Sequence, residues 1–308
     1  MGKFINPFTD IGFKRIFGQE ISKPVLIAFL NALLAEERNI VDVQFLDKEQ
    51  PGESADDKSL IYDVYCKLEN GDHIIVEMQN KSQPYFKNRS VYYVARSISR
   101  QGEPGPEWRY DVKAVYLIAL LNFKREDISN EFRTDVALMD MKRKTLFSDK
   151  VRLVYLQLPF FTKELDECET LFEKLIFVLK HMDVLQRMPW LAQDAVFQKL
   201  ASIADVASLT KQERLAYDEN LRKYRDTIAV MEGQYLEGME KGMEKGRAEG
   251  RAEGRAEGRA EGRAEGRAEG RAEGVLATAR KMKAKGFSLE DIADVTGLSP
   301  EEINTLMA

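Results

Sequence analysis

Apolar positions along the first 165 residues change period several times, as they do where helices and strands alternate. Residues 22–37 (SKPVLIAFLNALLAEE) carry them at helical spacing, with Ser22 as N-cap and Pro24 inside the first turn. Short runs rich in β-branched and aromatic residues follow, and these predict strands over 40–46, 60–68, 73–79, 112–121, 135–141 and 150–158. Asn70-Gly71 separates the second run from the third and signals a hairpin. A second helix between Pro84 and Gln101 interrupts the strands. This order predicts a mixed α/β sheet with helices packed on it.

From about 165 to 235 the spacing is helical throughout. Residues 167–181 and 190–201 are apolar-periodic, whereas 211–235 is more charged, with breaks at Pro189 and Ser208. This zone is expected to close over the sheet or to form a homodimer face. Beyond residue 237 the chain becomes simple: seven copies of Arg-Ala-Glu-Gly fill residues 247–274. Arg and Glu favour helix, but each Gly costs ~1 kcal/mol relative to Ala. Like charges also recur at i and i+4. A four-residue repeat turns an ideal helix by about 400°, so each residue type drifts by about 40° per repeat. No single small-residue face results, and the segment reads as a charge-neutral spacer, either a weak solvated helix or a flexible tether. After it, a helix over 275–285 leads to two short ones. Ser288 and Ser299 stand as N-caps, Pro300 at a first helical position, Glu302 in a capping box and Gly297 at the turn between them. The expected divisions are therefore 1–165, 166–236, 237–274 and 275–308.

Composition sharpens this picture at three points. Of twenty glycines, ten lie between 238 and 274, so the glycine excess belongs to the spacer. Formal charge is −5, from 46 basic and 51 acidic residues, which excludes a globally basic nucleic-acid coat protein. Residues 287–308 hold five acids and no Lys or Arg; without those acids, 46 basic and 46 acidic residues remain over 1–286. The terminal helix-turn-helix pattern thus lacks the positive charge that a DNA-reading helix brings. No run approaches ~18 apolar residues, so no membrane partner is expected. Without an apolar leader, and with only Cys66 and Cys168 far apart, the chain fits a reducing cytoplasm.

The chemistry lies on the hairpin. Asp63 sits in the second predicted strand, and Glu77 and Gln79 in the third. Carboxylates inside apolar strands are costly unless paired or metal-bound. Two on neighbouring strands suit Mg²⁺, a hard ion that takes one or two carboxylates and keeps other positions for water and phosphate oxygens. Strand alternation imposes a condition. A two-residue turn at Asn70-Gly71 pairs Asp63 with Met78 and puts Asp63 and Glu77 on opposite faces. A three-residue loop over 70–72 pairs Glu69 with His73 and Asp63 with Gln79, so that Asp63, Glu77 and Gln79 share a face. The longer loop, or a bulge of equal effect, is the expectation.

Residues 81–102 contain Lys81, Lys87, Arg89, Arg96 and Arg100 with no acid, a local charge of +5. On a helix, Arg89, Arg96 and Arg100 fall within about 40° of one another, flanked by Tyr92 and Tyr93. A basic, aromatic-bearing helix beside a carboxylate pair suits DNA crossing a metal site. A solvated face paired with Glu103 or Glu107 is the plainer alternative.

Asp63 followed by Glu77-Met78-Gln79 resembles the signature of the PD-(D/E)XK nuclease superfamily. More narrowly, the chain resembles the Rpn family of recombination-promoting nucleases, also described as PD-(D/E)XK nuclease family transposases. Four stretches carry the likeness: residues 6–18 (NPFTDIGFKRIFG), residues 26–34 (LIAFLNALL), the hairpin from Asp63 to Gln79, and the helix bearing Arg89, Tyr92 and Tyr93. The resemblance implies a restriction-endonuclease-like αβββαβ core and Mg²⁺- or Mn²⁺-dependent DNA endonuclease activity in recombination, transposition or mobile-element biology. By position, Asp63 and Glu77 would ligate metal and Gln79 would stand where the superfamily usually has Lys. Gln carries no charge and accepts no proton, but it can orient a water or a phosphate oxygen. Lys67 and Lys81 are candidates for the missing charge, and Asp10 for an accessory role from the N-terminal segment.

Other residues read as structural. His181 has no partner at metal spacing, Cys66 belongs to the core, and His73 shares the Glu77 face without a partner histidine. No Gly-Lys-Ser/Thr loop suggests ATP use. Two functions stand: a metal-dependent DNA endonuclease, or a catalytically weak nuclease-fold protein acting in DNA binding or assembly.

Overall fold

The computed structural model describes residues 2–35, 37–50 and 60–305. They divide into two units, Met1–Ile228 and Ala229–Ala308. In the first, α1 (Asp10–Phe17) and α2 (Lys23–Leu33) precede β1 (Val43–Phe45), β2 (Glu49–Gln50), β3 (Leu60–Ile61), β4 (Val64–Leu68) and β5 (His73–Gln79). Helix α3 (Phe86–Ser99) crosses to β6 (Val115–Leu121), then β7 (Arg133–Asp140), β8 (Thr145–Gln157), α4 (Leu171–His181), α5 (Ala195–Ala204) and the start of α6 (Lys211–Ala284).

Six strands form one mixed sheet in the order β1-β4-β5-β6-β8-β7, and β2 and β3 form a separate short ladder. Strands β5, β6 and β8 run parallel, while β1, β4 and β7 pair antiparallel with their neighbours. The centre is parallel because β6 is a continuous apolar run, Val-Tyr-Leu-Ile-Ala-Leu-Leu, buried at every position. One sheet face, with Ile74, Val76, Ile118 and Val154, packs against Phe13, Phe17, Phe29, Val178 and Phe197 from α1, α2, α4 and α5. The other, with Ile75, Leu117, Ala119 and Tyr155, lies under Phe86 and Val94 of α3. The fold is thus a mixed α/β sheet between helical layers, as the apolar pattern and the nuclease resemblance both led one to expect.

Three local expectations are corrected. The strand expected over 60–68 is broken at Tyr62-Asp63, so Asp63 sits in the break before β4 instead of inside a strand. The hairpin loop is three residues long but spans 69–71. Leu68 N–H donates to the Asp72 carbonyl at 2.8 Å, and Gly71 N–H to the Leu68 carbonyl at 3.0 Å. Gly71 takes the left-handed position that closes such a loop, at φ 91°. The third correction is α1, a helix that the spacing did not announce. Thr9 caps it, accepting from Gly12 N–H at 3.0 Å. Glycine is required at that point, because a Cβ on Gly12 would lie 2.1 Å from the Asn6 carbonyl oxygen.

The segment before α1 is pinned into the core. Tyr217 of α6 accepts from Asn6 N–H at 2.8 Å, and the Phe8 and Tyr224 rings stack at 6.4 Å. Helices α4 and α5 both pack against α2, and α5 also against α1, with Leu175, Ile176, Leu179 and Leu200 buried in the same core.

In the second unit α6 continues to Ala284 as helix, and residues 232–274 are exposed throughout. Helices α7 (Leu289–Thr296) and α8 (Pro300–Thr305) close a small core of Ala279, Ile292 and Ile303. Ser288 caps α7, and Gly297 makes the left-handed turn after it at φ 70°. No Cβ added to the repeat glycines would meet anything within 4 Å. Replacing Gly250, Gly254, Gly258, Gly262 and Gly266 by Ala should therefore raise helix stability by ~1 kcal/mol per site. The check is circular dichroism of the full-length chain: the variant should keep its helical signal to higher temperature, and an unchanged melting profile would contradict the account. Among the described residues no helix is long and apolar enough to cross a membrane.

Candidate active site

The β4–β5 register decides which side chains meet. Lys67 pairs with His73, Tyr65 with Ile75 and Val64 with Val76, and the ladder ends there, one residue short of Asp63. The β4–β5 pairing is two residues out of step with the expected one; odd-numbered residues of β5, Glu77 included, face α3, whereas Asp63, outside the ladder, lines a cleft with Phe13, Met78 and Asn80. Asp72 explains the offset. Its Oδ1 accepts from Ala114 N–H at 3.0 Å and its Oδ2 from Asn70 Nδ2 at 2.8 Å, with Arg38 Nε 3.3 Å away. Asp72 is thereby tied to the start of β6 and is withdrawn from the loop.

At the strand break the two carboxylates replace ladder bonds. Glu77 Oε1 accepts from Asp63 N–H at 3.2 Å, and Asp63 Oδ2 accepts from Met78 N–H at 2.8 Å. Each acid therefore takes the backbone donor beside the other. Glu77 is buried at 3 % exposure, and Asp63 is half-buried. Burial, with the Asp63 charge next to it, pushes the Glu77 carboxyl up to about 8; the bond from Asp63 N–H and the Arg89 guanidinium oppose this. Burial also raises Asp63, and Asp10 adds to the rise, while Met78 N–H, Lys14 and Arg89 work against it. Burial and then Glu77 raise the Tyr93 hydroxyl.

Gln79 shares the Glu77 face and donates from Nε2 to Glu77 Oε2 at 3.4 Å. A neutral amide here supports Glu77 by hydrogen bonding and supplies no charge. Positive charge reaches Asp63 from Lys14 of α1 and reaches both carboxyls from Arg89 of α3. Arg89 lies over the rings of Phe86 and Tyr93, at 5.3 and 5.6 Å, and donates from Nη1 to Gln83 Oε1 at 2.7 Å. Lys67, one candidate for that charge, is opposite His73, four residues along β5 from Glu77, or roughly 13 Å at strand rise. It is too remote to serve. Lys81 is exposed just past β5.

The other basic residues spread along α3. Lys87 is exposed and donates to the Asp127 carbonyl at 2.7 Å, Arg96 is half-buried, and Arg100 is exposed at the helix end. Asp10 is the first residue of α1, next to the Thr9 cap, and pairs with Lys14 one turn on. Thr9, Asp10, Asp63 and Asn80 line a cleft of about 90 Å³. Asn80 was not anticipated. Its Nδ2 donates to the Phe8 carbonyl, whereas its Oδ1 is buried without a hydrogen-bond partner. A polar residue directly after Glu77-Met78-Gln79 was the only sign of it in the sequence.

His73 and Cys66 are accounted for structurally. His73 Nδ1 meets Tyr65 Oη at 2.9 Å, and Tyr65 Oη meets Ser97 Oγ at 3.0 Å. Cys66 is fully buried, and that burial pushes its thiol up to about 12, where it is inert as a nucleophile.

A family model described as PD-(D/E)XK nuclease family transposase matches residues 7–234, and the chain belongs to that family. Comparison with curated proteins and with solved structures gives no significant match. The matched span includes α1, the hairpin, α3 and the helices that cover the sheet, and membership supports a nuclease- or transposase-related function.

Proposed function

We propose that this protein is a Mg²⁺-dependent DNA endonuclease that hydrolyses phosphodiester bonds in recombination, transposition or mobile-element biology. The observation that carries the reading is the reciprocal pair at the strand break, Asp63 on Met78 N–H and Glu77 on Asp63 N–H, beside a basic helix. Among the described residues no three His, Cys, Asp or Glu side chains gather into a metal cage. Mg²⁺ needs no such cage, since one or two carboxylates with water and phosphate oxygens suffice. The donor set fits. Two neighbouring carboxyls have their acidities depressed, chiefly by burial, and a divalent cation stabilises the ionised forms that burial disfavours.

Asp63 and Glu77 would hold Mg²⁺ or Mn²⁺, which when bound activates a water and stabilises charge on the cleaved phosphate. Gln79 steadies Glu77. Arg89 sets a guanidinium beside the carboxyls for a phosphate oxygen. Lys81, Lys87, Arg96 and Arg100 extend positive charge along α3 for the DNA backbone. Residues 1–165 carry this chemistry in a cytoplasmic protein. The helical region 166–236 supports it and offers a homodimer surface. The repeat 237–274 acts as a spacer to the unit at 275–308.

Plasmid nicking with Mg²⁺ or EDTA, using wild type, Asp63→Ala and Glu77→Ala, tests the proposal. Wild type should nick only with metal, and each substitution should cost about 100-fold or more. Full activity in both variants would reject the site. Gln79, neutral where the superfamily usually has Lys, favours a second reading in which the fold binds DNA without cutting it. Metal-dependent DNA retention by a wild-type protein that never nicks would support that alternative.

A further inference from the structure

The cleft beside Asp63 holds one buried group that the reading above does not use. Asn80 is half-buried, and its two amide atoms have different fates. The Phe8 carbonyl is an acceptor, so the NH₂ end of the amide must face it, and this fixes the side-chain orientation. The oxygen is left buried without a hydrogen-bond donor. A buried acceptor in that state calls for an explanation, and an ion is among the usual ones. Asp10 and Asp63 line the same cleft. Its volume of about 90 Å³ has room for a cation with water.

We infer that Asn80 is a neutral oxygen donor to the divalent cation, in addition to Asp63 and Glu77; the inference rests on the metal-site reading above. Amide carbonyls, carboxylates and water are the ligands that Mg²⁺ and Mn²⁺ prefer. The same side chain acts structurally through its other end. By gripping the Phe8 carbonyl it ties the segment before α1 to the end of β5, and this sets Asp10 at the cleft with Asp63. One amide thus joins the N-terminal segment to the hairpin, with its buried oxygen left for the cation.

Calorimetric titration of the full-length, metal-free protein with Mn²⁺ separates the two ends of Asn80. Asn80→Ala removes the oxygen and the grip on Phe8. Asn80→Asp removes the grip but keeps oxygen and adds charge. A donor role predicts that Asn80→Ala weakens Mn²⁺ binding at least about 10-fold while Asn80→Asp binds as tightly as wild type or more so. Asp63→Asn should abolish binding, and thermal melts in EDTA report whether each variant is folded. Equal losses in Asn80→Ala and Asn80→Asp would reduce the residue to a structural clamp and overturn the donor role. So would wild-type affinity in Asn80→Ala, and in both cases loss of binding in Asp63→Asn would leave the metal-site reading standing. Should Asn80→Ala fail to fold, Asn80→Asp decides, and weaker binding than wild type overturns the proposal. No Mn²⁺ binding by wild type would overturn this inference and the metal-site reading together.

Discussion

Glu77→Gln should stabilise the metal-free protein at pH 8 while abolishing metal-dependent cleavage. In the folded state the Glu77 carboxyl titrates at about 8, whereas an unfolded chain returns it to the ordinary value of 4.5. Between those values the folded protein holds a proton that the unfolded chain has released. Stability is therefore fully present below about pH 4.5 and is lost as pH rises through 8. Asp63, also raised, acts in the same direction. A tenfold change in proton affinity is worth ~1.4 kcal/mol, so the ionised Glu77 costs the fold on the order of several kcal/mol near pH 8. Gln removes the titration and keeps an oxygen to accept from Asp63 N–H. Thermal melts in EDTA from pH 5 to 9 are the measurement. Wild type should lose stability across the range, Glu77→Gln should be flatter, and the curves should separate most at the alkaline end. Parallel curves would mean that Glu77 is not the buried acid described. Adding Mg²⁺ should recover wild type and leave the variant unchanged. That opposition between stability and function is expected where a site buries carboxyls that a cation keeps ionised.

The site was legible in the sequence to the extent that it depends on parity. The odd-length loop set the parity of β4 against β5, but Asp63 left the ladder at the break and lines the cleft beside Phe13 and Met78. What the sequence could not say was which odd-length loop. Asn70-Gly71 suits a turn in more than one frame, and the choice is made by Asp72, anchored on Ala114 and Arg38 from distant parts of the chain. The break at Tyr62-Asp63 was hidden for a related reason, because apolar residues on both sides continue the strand pattern. The interruption follows from side chains taking over ladder donors, a tertiary effect. Helix α1 was missed because its eight residues are too few to display a period, and its stability comes from the Thr9 cap and from burial of Phe13 and Phe17. By contrast α3, α4 and β6, whose apolar patterns are long or continuous, were recognisable from spacing alone. Asn80 and the Arg89 stacking between Phe86 and Tyr93 depend on contacts between separate elements, and no local pattern announces such contacts.

Arg89→Met should cost more activity than neutralising any other basic residue of α3. Gln79 brings no charge to the position where the superfamily usually has Lys, and Lys67 is paired at the far end of the hairpin. Arg89 is the α3 cation whose field lowers both carboxyls, and its stacking on two rings limits the freedom of the guanidinium. A preorganised cation at a developing phosphate charge is typically worth 10²–10³-fold, so nicking should fall by about that factor. Methionine retains much of the stem that packs on Phe86 and Tyr93, so folding should survive. Arg89→Lys should recover only part of the loss, because ammonium lacks the planar fork. The pH profile supplies an independent sign. With the guanidinium gone, Asp63 and Glu77 hold their protons to higher pH, so the alkaline rise in activity should move upward. Lys87→Ala is the contrast. An exposed lysine that contacts the Asp127 carbonyl should weaken DNA binding modestly and lower its salt dependence by about one counterion, without moving the pH profile. If Arg89→Met and Lys87→Ala lose activity in equal proportion and keep the wild-type pH profile, Arg89 is one more backbone contact and the charge missing at Gln79 is supplied by some other group.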